Sequence, residues 1–515
     1  MTISKPEVTV NIVSAQNLVG LSSQKILFVG QMTSAGTATA GALVEDIDNT
    51  GIEDTLFGAK SMLAAMIRAA KRINKQVRFD AIPLDDAAGT EATASIAFAG
   101  AATAAGTLTF YIGSKKNNAY EIDVALTDTG AEISAALVAA ITADTHACAT
   151  AVVDSLAADL TYVHAGLEGN FVTIKIEGSV AGITPTITGF ASGATNPTLT
   201  GIFDVAEGIR YQTVVWPSSY VTTTVNSFLE DRWNVSNQVL DGVYITEKID
   251  TLANLKTAAG LLNYKSANLL GNDSVSIAAS HIGGSLVELP HVVSAQYAAI
   301  RALRLEDGTD ISRYVISPYG ARDSFGGIAI SSLPYANTPF YELSTIDTGL
   351  GFSIEEVDEL EEVGITVLGD NLANTQVILG NAVTTYKTDA GANPDLSFKY
   401  LNYVDTISSI REYYVNNFKA RFADSRLTAG DLVQGRSMAN AQSIRAFAIG
   451  IFTTLSGSDY VLTQAGEDAR NYFINNLVVA LDLSLGKVTI TMKCPIVTQL
   501  REIIATLQLS FVTAG

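Results

Sequence analysis

Cysteine is nearly absent. Cys148 and Cys494 are the only two in 515 residues, which excludes a disulfide framework and any CxxC metal pair. Histidine is almost as scarce, and the four present, His146, His164, His281 and His291, stand apart. His146-x-Cys148 offers two ligands where a zinc site needs three or four. Charge is thin at 16% and one-sided, with 32 Lys and Arg against 52 Asp and Glu, a net of -20. A grip on phosphates needs clustered Lys and Arg, so direct nucleic-acid binding is not expected. Long apolar runs are missing too: the longest, AFAIGIF at 446–452, falls far below the roughly 20 residues that span a bilayer. The opening MTISKPEVTV has neither the basic nor the apolar region of a signal peptide, so neither export nor membrane insertion is expected. Catalytic signatures are also lacking. GxSxG, Walker and HExxH patterns do not occur. Gly349 and Gly351 in TGLGFSIEE lack the third glycine of a dinucleotide fingerprint and read as a turn, and EEVDELEE (355–362) reads as the acid-rich start of a helix. No catalytic residue, metal ligand or cofactor is assigned, and the chain is not expected to be an enzyme.

What is abundant is apolar and small: 48% of the residues are hydrophobic, with 41 glycines, as in a multi-domain globular protein with much buried or subunit-facing surface. The organising feature is the carboxy-terminal stretch. Val479 to Leu485 and Lys487 to Cys494 read as a hairpin turning at Gly486. After Pro495, Ile503, Leu507, Leu509 and Phe511 fall on the apolar face of an extended segment with no partner nearby in sequence. The first residues repeat the pattern: Val8, Val10 and Ile12 alternate with Thr9 and Asn11 behind Pro6. An unpaired strand at each end points to pairing between chains.

Between the two ends, KILFVGQ reads as a buried strand, Leu56 to Ile73 as a helix and VRFDAIPL as a second strand, an order that predicts a parallel sheet. At about Asp86 the composition turns to Ala, Thr and Gly, and it turns back near Glu207. GTLTFYIG, NNAYEIDVALT, a helix from Thr129 to Asp144, ATAVVDSLAADLTYVHA and GNFVTIKIEG then form a β-rich insert. Alternating strands and helices resume from RYQTVVWP to HVVSAQYAAIRALRL. From Leu396 the pattern is helical, with further helices at Ser443–Leu455 and Glu467–Leu477. The expected fold is a multi-domain α/β one. It comprises an extended arm (1–20), an α/β domain (21–87 and 206–397) interrupted by a β-rich inserted domain (88–205), an α+β carboxy-terminal domain with the hairpin (398–502), and a second extended arm (503–515). Charge divides along the same line, with 21 basic against 43 acidic residues before 398 and 11 against 9 from there on.

The hairpin followed by CPIVTQLREIIATLQLSF resembles the contractile tail sheath proteins of myophages, nearest to the Mu-like branch. GTLTFYIGSKKNNAYEIDVALTDTGAEISAALVAAI with GLEGNFVTIKIEG is similar to the inserted domain of those sheaths, and the likeness runs in order over essentially the whole chain. The resemblance implies a virion structural subunit, assembled in the host cytoplasm. It would polymerise as stacked hexameric rings around a tail tube, meet baseplate and terminator proteins, and contract to drive the tube through the host envelope. It also implies that both arms are donated to neighbours, where they extend the sheet of the hairpin, with Val488, Ile490 and Met492 on the accepting strand. Ser14 to Ser23 and Pro495 to Arg501 would be flexible links. The carboxy-terminal domain would face the tube, with Arg411, Lys419, Arg421 and Arg445 as candidate contacts. A capsid-type or surface-layer protein is the alternative, and a nucleotide-binding enzyme ranks third.

Overall fold

A computed structural model describes residues 24–498 apart from 48–50, 76, 87, 115–118, 234–237, 306–334, 341–342, 372 and 458–462. Strand β1 (Lys25–Gln31) leads into helices α1 (Ile52–Phe57) and α2 (Met62–Ile73) and strand β2 (Arg78–Leu84). The periodicity read as one helix is therefore two. Gly58, at φ +85°, turns the chain between them, where a Cβ would lie 1.9 Å from Thr33 Oγ1, and Ser61 restarts the helix by accepting the Ala64 N–H. β1 and β2 run parallel in register from Lys25↔Arg78 to Gln31↔Leu84.

The next segment carries β3 (Glu91–Gly100), β4 (Gly106–Ile112), β5 (Tyr120–Val124), α3 (Gly130–Ala143), β6 (Ala149–Asp154), β7 (Ala157–Ala165), β8 (Ile174–Glu177) and β9 (Ile183–Ala191). α3 begins at a capping box in which the Thr129 side chain and Glu132 satisfy each other's backbone N–H groups. Four of the strands form a sheet in the order β6-β7-β3-β9, and around α3 they enclose their own core of Ile96, Phe98, Phe110, Leu137, Leu160 and Tyr162. β3 and β9, EATASIAFAG and ITPTITGFA, are strands that the hydrophobic pattern did not announce. Alanines at alternate positions of β3, and Pro185 and Gly189 among the Ile and Thr of β9, leave little apolar contrast.

The α/β order resumes with β10 (Thr213–Val215), α4 (Thr222–Trp233), β11 (Val243–Asp250), α5 (Leu252–Gly260), β12 (Ala267–Ile277), β13 (His281–Gly284), α6 (Pro290–Leu305), β14 (Pro339–Phe340), α7 (Ile354–Val363), β15 (Ile365–Asp370) and β16 (Val377–Leu379). β10, β11, β12 and β15 add to β1 in parallel, and α2 and α6 cover one face of the sheet while α4, α5 and α7 cover the other. Such a sheet is buried on both sides, so β1 reads as an uninterrupted apolar run rather than an alternation. Gly30 lets α2 lie close, since a Cβ there would meet Met66 Cε at 2.7 Å. β12 starts at Ala267 and hairpins into β13. β13 in turn pairs with β8 at His281↔Lys175 and Ile282↔Ile174, so one twelve-stranded sheet passes from the body into the inserted segment. The architecture is mixed α/β, as the sequence implied.

α8 (Leu401–Phe422), β17 (Arg426–Leu427), β18 (Met438–Ala439), α9 (Ala441–Leu455), α10 (Glu467–Asn475), β19 (Val478–Asp482) and β20 (Lys487–Thr491) close the described chain. α8 belongs to two cores. Its first turns place Leu401 and Val404 in the core under α2 and α6, while Ile410, Tyr413 and Tyr414 join α9 and α10.

Candidate assembly interface

β19 and β20 form the expected hairpin, antiparallel from Val478↔Thr491 to Asp482↔Lys487. The turn is Leu483–Gly486, longer than a single glycine. Asp482 Oδ1 accepts the Ser484 N–H at 3.0 Å and the Leu485 N–H at 3.1 Å, and Gly486 takes φ +62°. Those hydrogen bonds, Ser484 Oγ first, hold the Asp482 carboxyl below its ordinary value. Alternation sorts the side chains: Val479, Leu481, Val488, Ile490 and Met492 are half-buried, whereas Val478, Ala480, Thr489 and Thr491 face outward. The inner row rests on a core in which Phe452 and Phe473 stack at 4.4 Å between centroids. Cys494 lies beside Tyr414, its thiol pushed up to about 12 by burial, which keeps it a weak nucleophile.

Among the described residues this sheet has two strands and both outer edges are open. Half-burial of four aliphatic side chains gives about 3–6 kcal/mol, taking half of 1.5–3 each. Fixing the ten strand residues costs on the order of 10–20 kcal/mol of backbone entropy, and the cross-strand bonds return about 5. The hairpin is marginal alone and gains from any strand added to an edge. Of the accepting residues named from sequence, Val488 and Ile490 lie in β20 and Met492 follows it, all with side chains toward the core. Acceptance of a strand would thus run through the backbone edge. The arm residues Val8, Val10, Ile12, Ile503, Leu507, Leu509 and Phe511, and the link 14–23, lie outside the described residues. The second link is pinned where it starts: Ile496 bridges Thr463, and Gln464 N–H donates to Pro495 O at 2.8 Å.

The four candidate tube contacts divide. Arg411 donates to Trp233 O at 3.0 Å and lies 3.9 Å from Asp241, tying α8 to the body. Arg445 donates to Leu477 O and, at 2.6 Å, to Ile474 O, tying α9 to the end of α10 just before β19. Lys419 and Arg421 are exposed at the end of α8. Arg426 and Arg436, which the sequence reading passed over, are exposed beside them, with Leu432 and Val433 exposed on the intervening loop. The signal available for that pair was the density of basic residues between 419 and 436. Replacing Arg445 by Ala would take its donor from Leu477 O and leave Ile474 O with backbone N–H donors alone, the Leu477 N–H at 3.4 Å among them, a loss of about 1–3 kcal/mol. The expected outcome is faster hydrogen exchange in β19 and β20 with α2 unchanged.

The remaining sequence candidates do not converge on chemistry. His146 Nε2 lies 3.0 Å from Asp54 Oδ2 while Cys148 Sγ faces Ile112 O at 3.6 Å. Gly349 and Gly351 are turn residues at φ +86° and +83°, and Ser353 with Glu356 forms a capping box that opens α7. No group of three or more ligating side chains suited to a metal occurs among the described residues, and no described helix is long and apolar enough to cross a membrane.

The hairpin thus sits on a helical seat with both strand edges open, and no reactive groups converge among the described residues. No family model matches the chain. It is 26% identical over 444 residues, 84% of its length and 82% of the relative's, to the Mu-like prophage FluMu tail sheath protein of Haemophilus influenzae. The chain is thus similar, over most of its length, to a Mu-like tail sheath protein. Among solved structures it aligns with a sheath tail protein of Listeria innocua at 13% identity, covering 94% of each chain with a TM-score of 0.45. It also aligns with the contracted helical sheath of the anti-feeding prophage at 12% identity, covering 99% of this chain and 100% of that one with a TM-score of 0.48.

Proposed function

We propose that this chain is the subunit of a contractile phage tail sheath. It would stack as hexameric rings around the tail tube and contract to drive the tube through the host envelope during genome delivery. The observation that carries the reading is the open-edged carboxy-terminal hairpin in a chain similar, over most of its length, to a tail sheath protein. Both terminal arms would complete neighbours' hairpin sheets by strand addition, giving a mesh that survives contraction. The interrupted α/β domain (21–87 and 206–397) and the insert (88–205) would lie outside, and residues 398–502 would face the tube. Baseplate and terminator proteins would bound the stack, and assembly would take place in the host cytoplasm before the sheath joins the virion. Electron microscopy of the purified protein tests this: rods or tubes of stacked rings are expected, and closed shells or flat lattices would overturn it.

The tube face is reassigned within this reading. Arg411 and Arg445 are engaged inside the subunit, which leaves Lys419 and Arg421, joined by Arg426 and Arg436, as contacts to acidic tube residues. Exposed pairs are worth about 0–1 kcal/mol each and are screened by salt, so the grip is weak enough to release. Reversing Lys419 and Arg421 to Glu is expected to lower the salt concentration at which the extended sheath leaves its tube. An unchanged salt profile would remove both from the interface.

A further inference from the structure

The parallel sheet changes direction between β1 and β10. From β1 the chain goes through α2, on one face, to β2 on one side; from β10 it goes through α4, on the opposite face, to β11 on the other. Beyond the carboxyl ends of two such strands lies the crevice where doubly wound sheets take their ligands. Here the crevice is filled by the inserted segment. Gln31, the last residue of β1, donates to Ala165 O at 2.8 Å. His164 Nε2 accepts the Met62 N–H at 3.0 Å, at the start of α2. Glu168 reaches the turn between β10 and α4. Its carboxylate accepts the Ser219 N–H at 2.9 Å, the Ser218 N–H at 3.4 Å and the Ser218 hydroxyl at 3.1 Å, and His291 Nδ1, at the start of α6, lies 3.3 Å away. Two backbone N–H groups, a hydroxyl and an imidazole around one carboxylate are how a binding site holds a small carboxylate anion.

We propose that Glu168 is a built-in ligand: its carboxylate occupies the crevice as a bound carboxylate would, it clasps the insert to the α/β body, and the crevice emptied of it accepts a free carboxylate. Glu168 is 2% exposed and Glu247, one strand along in β11, is 0% exposed. Burial first, with the charges of Glu288 and Glu168, drives Glu247 well above the usual carboxylate range against its hydrogen bond from Asn272. Burial acts on Glu168 in the same sense, yet His291 and the Ser219 donors overcome it and hold the group below that range. Two carboxyls at the same depth differ because several donors surround Glu168, whereas Glu247 meets the Asn272 amide at 2.9 Å. The inference does not depend on the sheath reading, since it concerns how one subunit holds its own parts.

The test is hydrogen exchange on the full-length chain carrying Glu168→Ala. Peptides covering Trp216 to Val221 are expected to exchange at least about tenfold faster, with β1 and α8 unchanged. About 100 mM sodium acetate is expected to restore most of the protection where sodium chloride at equal ionic strength does not. Native exchange in the variant, or acetate no better than chloride, would overturn the proposal. Should the Ala variant fail to fold, Glu168→Gln decides, because it keeps the shape and removes the charge. Faster exchange confined to the same peptides supports the built-in ligand, and unchanged exchange rejects it.

Discussion

Deleting residues 1–13 is expected to leave a monomer that folds normally by circular dichroism and builds no sheath at all. The deleted residues hold Val8, Val10 and Ile12, the apolar positions of the first arm. Pairing an arm of about ten residues along a neighbour's hairpin edge adds about ten hydrogen bonds at roughly 1 kcal/mol net each, and each buried aliphatic side chain adds about 1.5–3 kcal/mol. Those gains exist only where a neighbour supplies the edge. Because every subunit in a lattice would both give and receive, losing one arm breaks every repeat of the mesh, and the effect is all-or-none rather than graded. Intact contractile sheaths made from the truncated protein would refute strand donation by the amino-terminal arm.

The second large effect is expected inside the subunit. Arg301, on α6, is 2% exposed and is hydrogen-bonded to Asp405 on α8 and, at 2.7 Å, to Gln212 O; Tyr335 donates to the same Asp405 carboxylate, also at 2.7 Å. Burial works against the Arg301 charge, and Asp405 first, with Tyr335, outweighs it and raises the group above its ordinary value. Asp405→Asn keeps the volume and leaves that cation without a counter-charge, a change that costs about 3–5 kcal/mol in buried pairs. Loss of folded, soluble protein or a melting temperature lowered by many degrees is the expected result. A variant that melts with the wild type would mean that water or another acid compensates the arginine.

Much of the scaffold was legible in the sequence because local signals agreed. KILFVGQ gave the bounds of β1, and the helix read from Thr129 to Asp144 is α3, since a buried parallel strand and a periodic helix declare themselves within a few residues. The strands β3 and β9 were not legible, because Ala92 and Ala94 in β3 and Pro185 and Gly189 in β9 dilute the apolar face that Ile96, Phe98 and Ile187 otherwise make. Arg411 and Arg445 looked free because their acceptors, Trp233 O and Leu477 O, lie 178 and 32 residues away in the chain. Glu168 carried no local mark at all. Its donors come from the β10–α4 turn and from His291, which only the path of the sheet brings together.

α8 has a mechanical consequence. Arg210 meets Glu412 at 2.5 Å and Ser408 at 2.9 Å, and Ser408 donates to Asp241, so the front half of the helix is bolted to the sheet by charge. Its back half carries the Tyr414 and Phe418 rings that seat the hairpin. At 22 residues it is a rod about 33 Å long at 1.5 Å per residue. One degree of tilt at the bolted end therefore moves the far end by about 0.6 Å on that length. A lattice knitted through the hairpins would feel any turning of the outer mass through this lever, with gain set by its length, and a glycine pair placed mid-rod would make it slack.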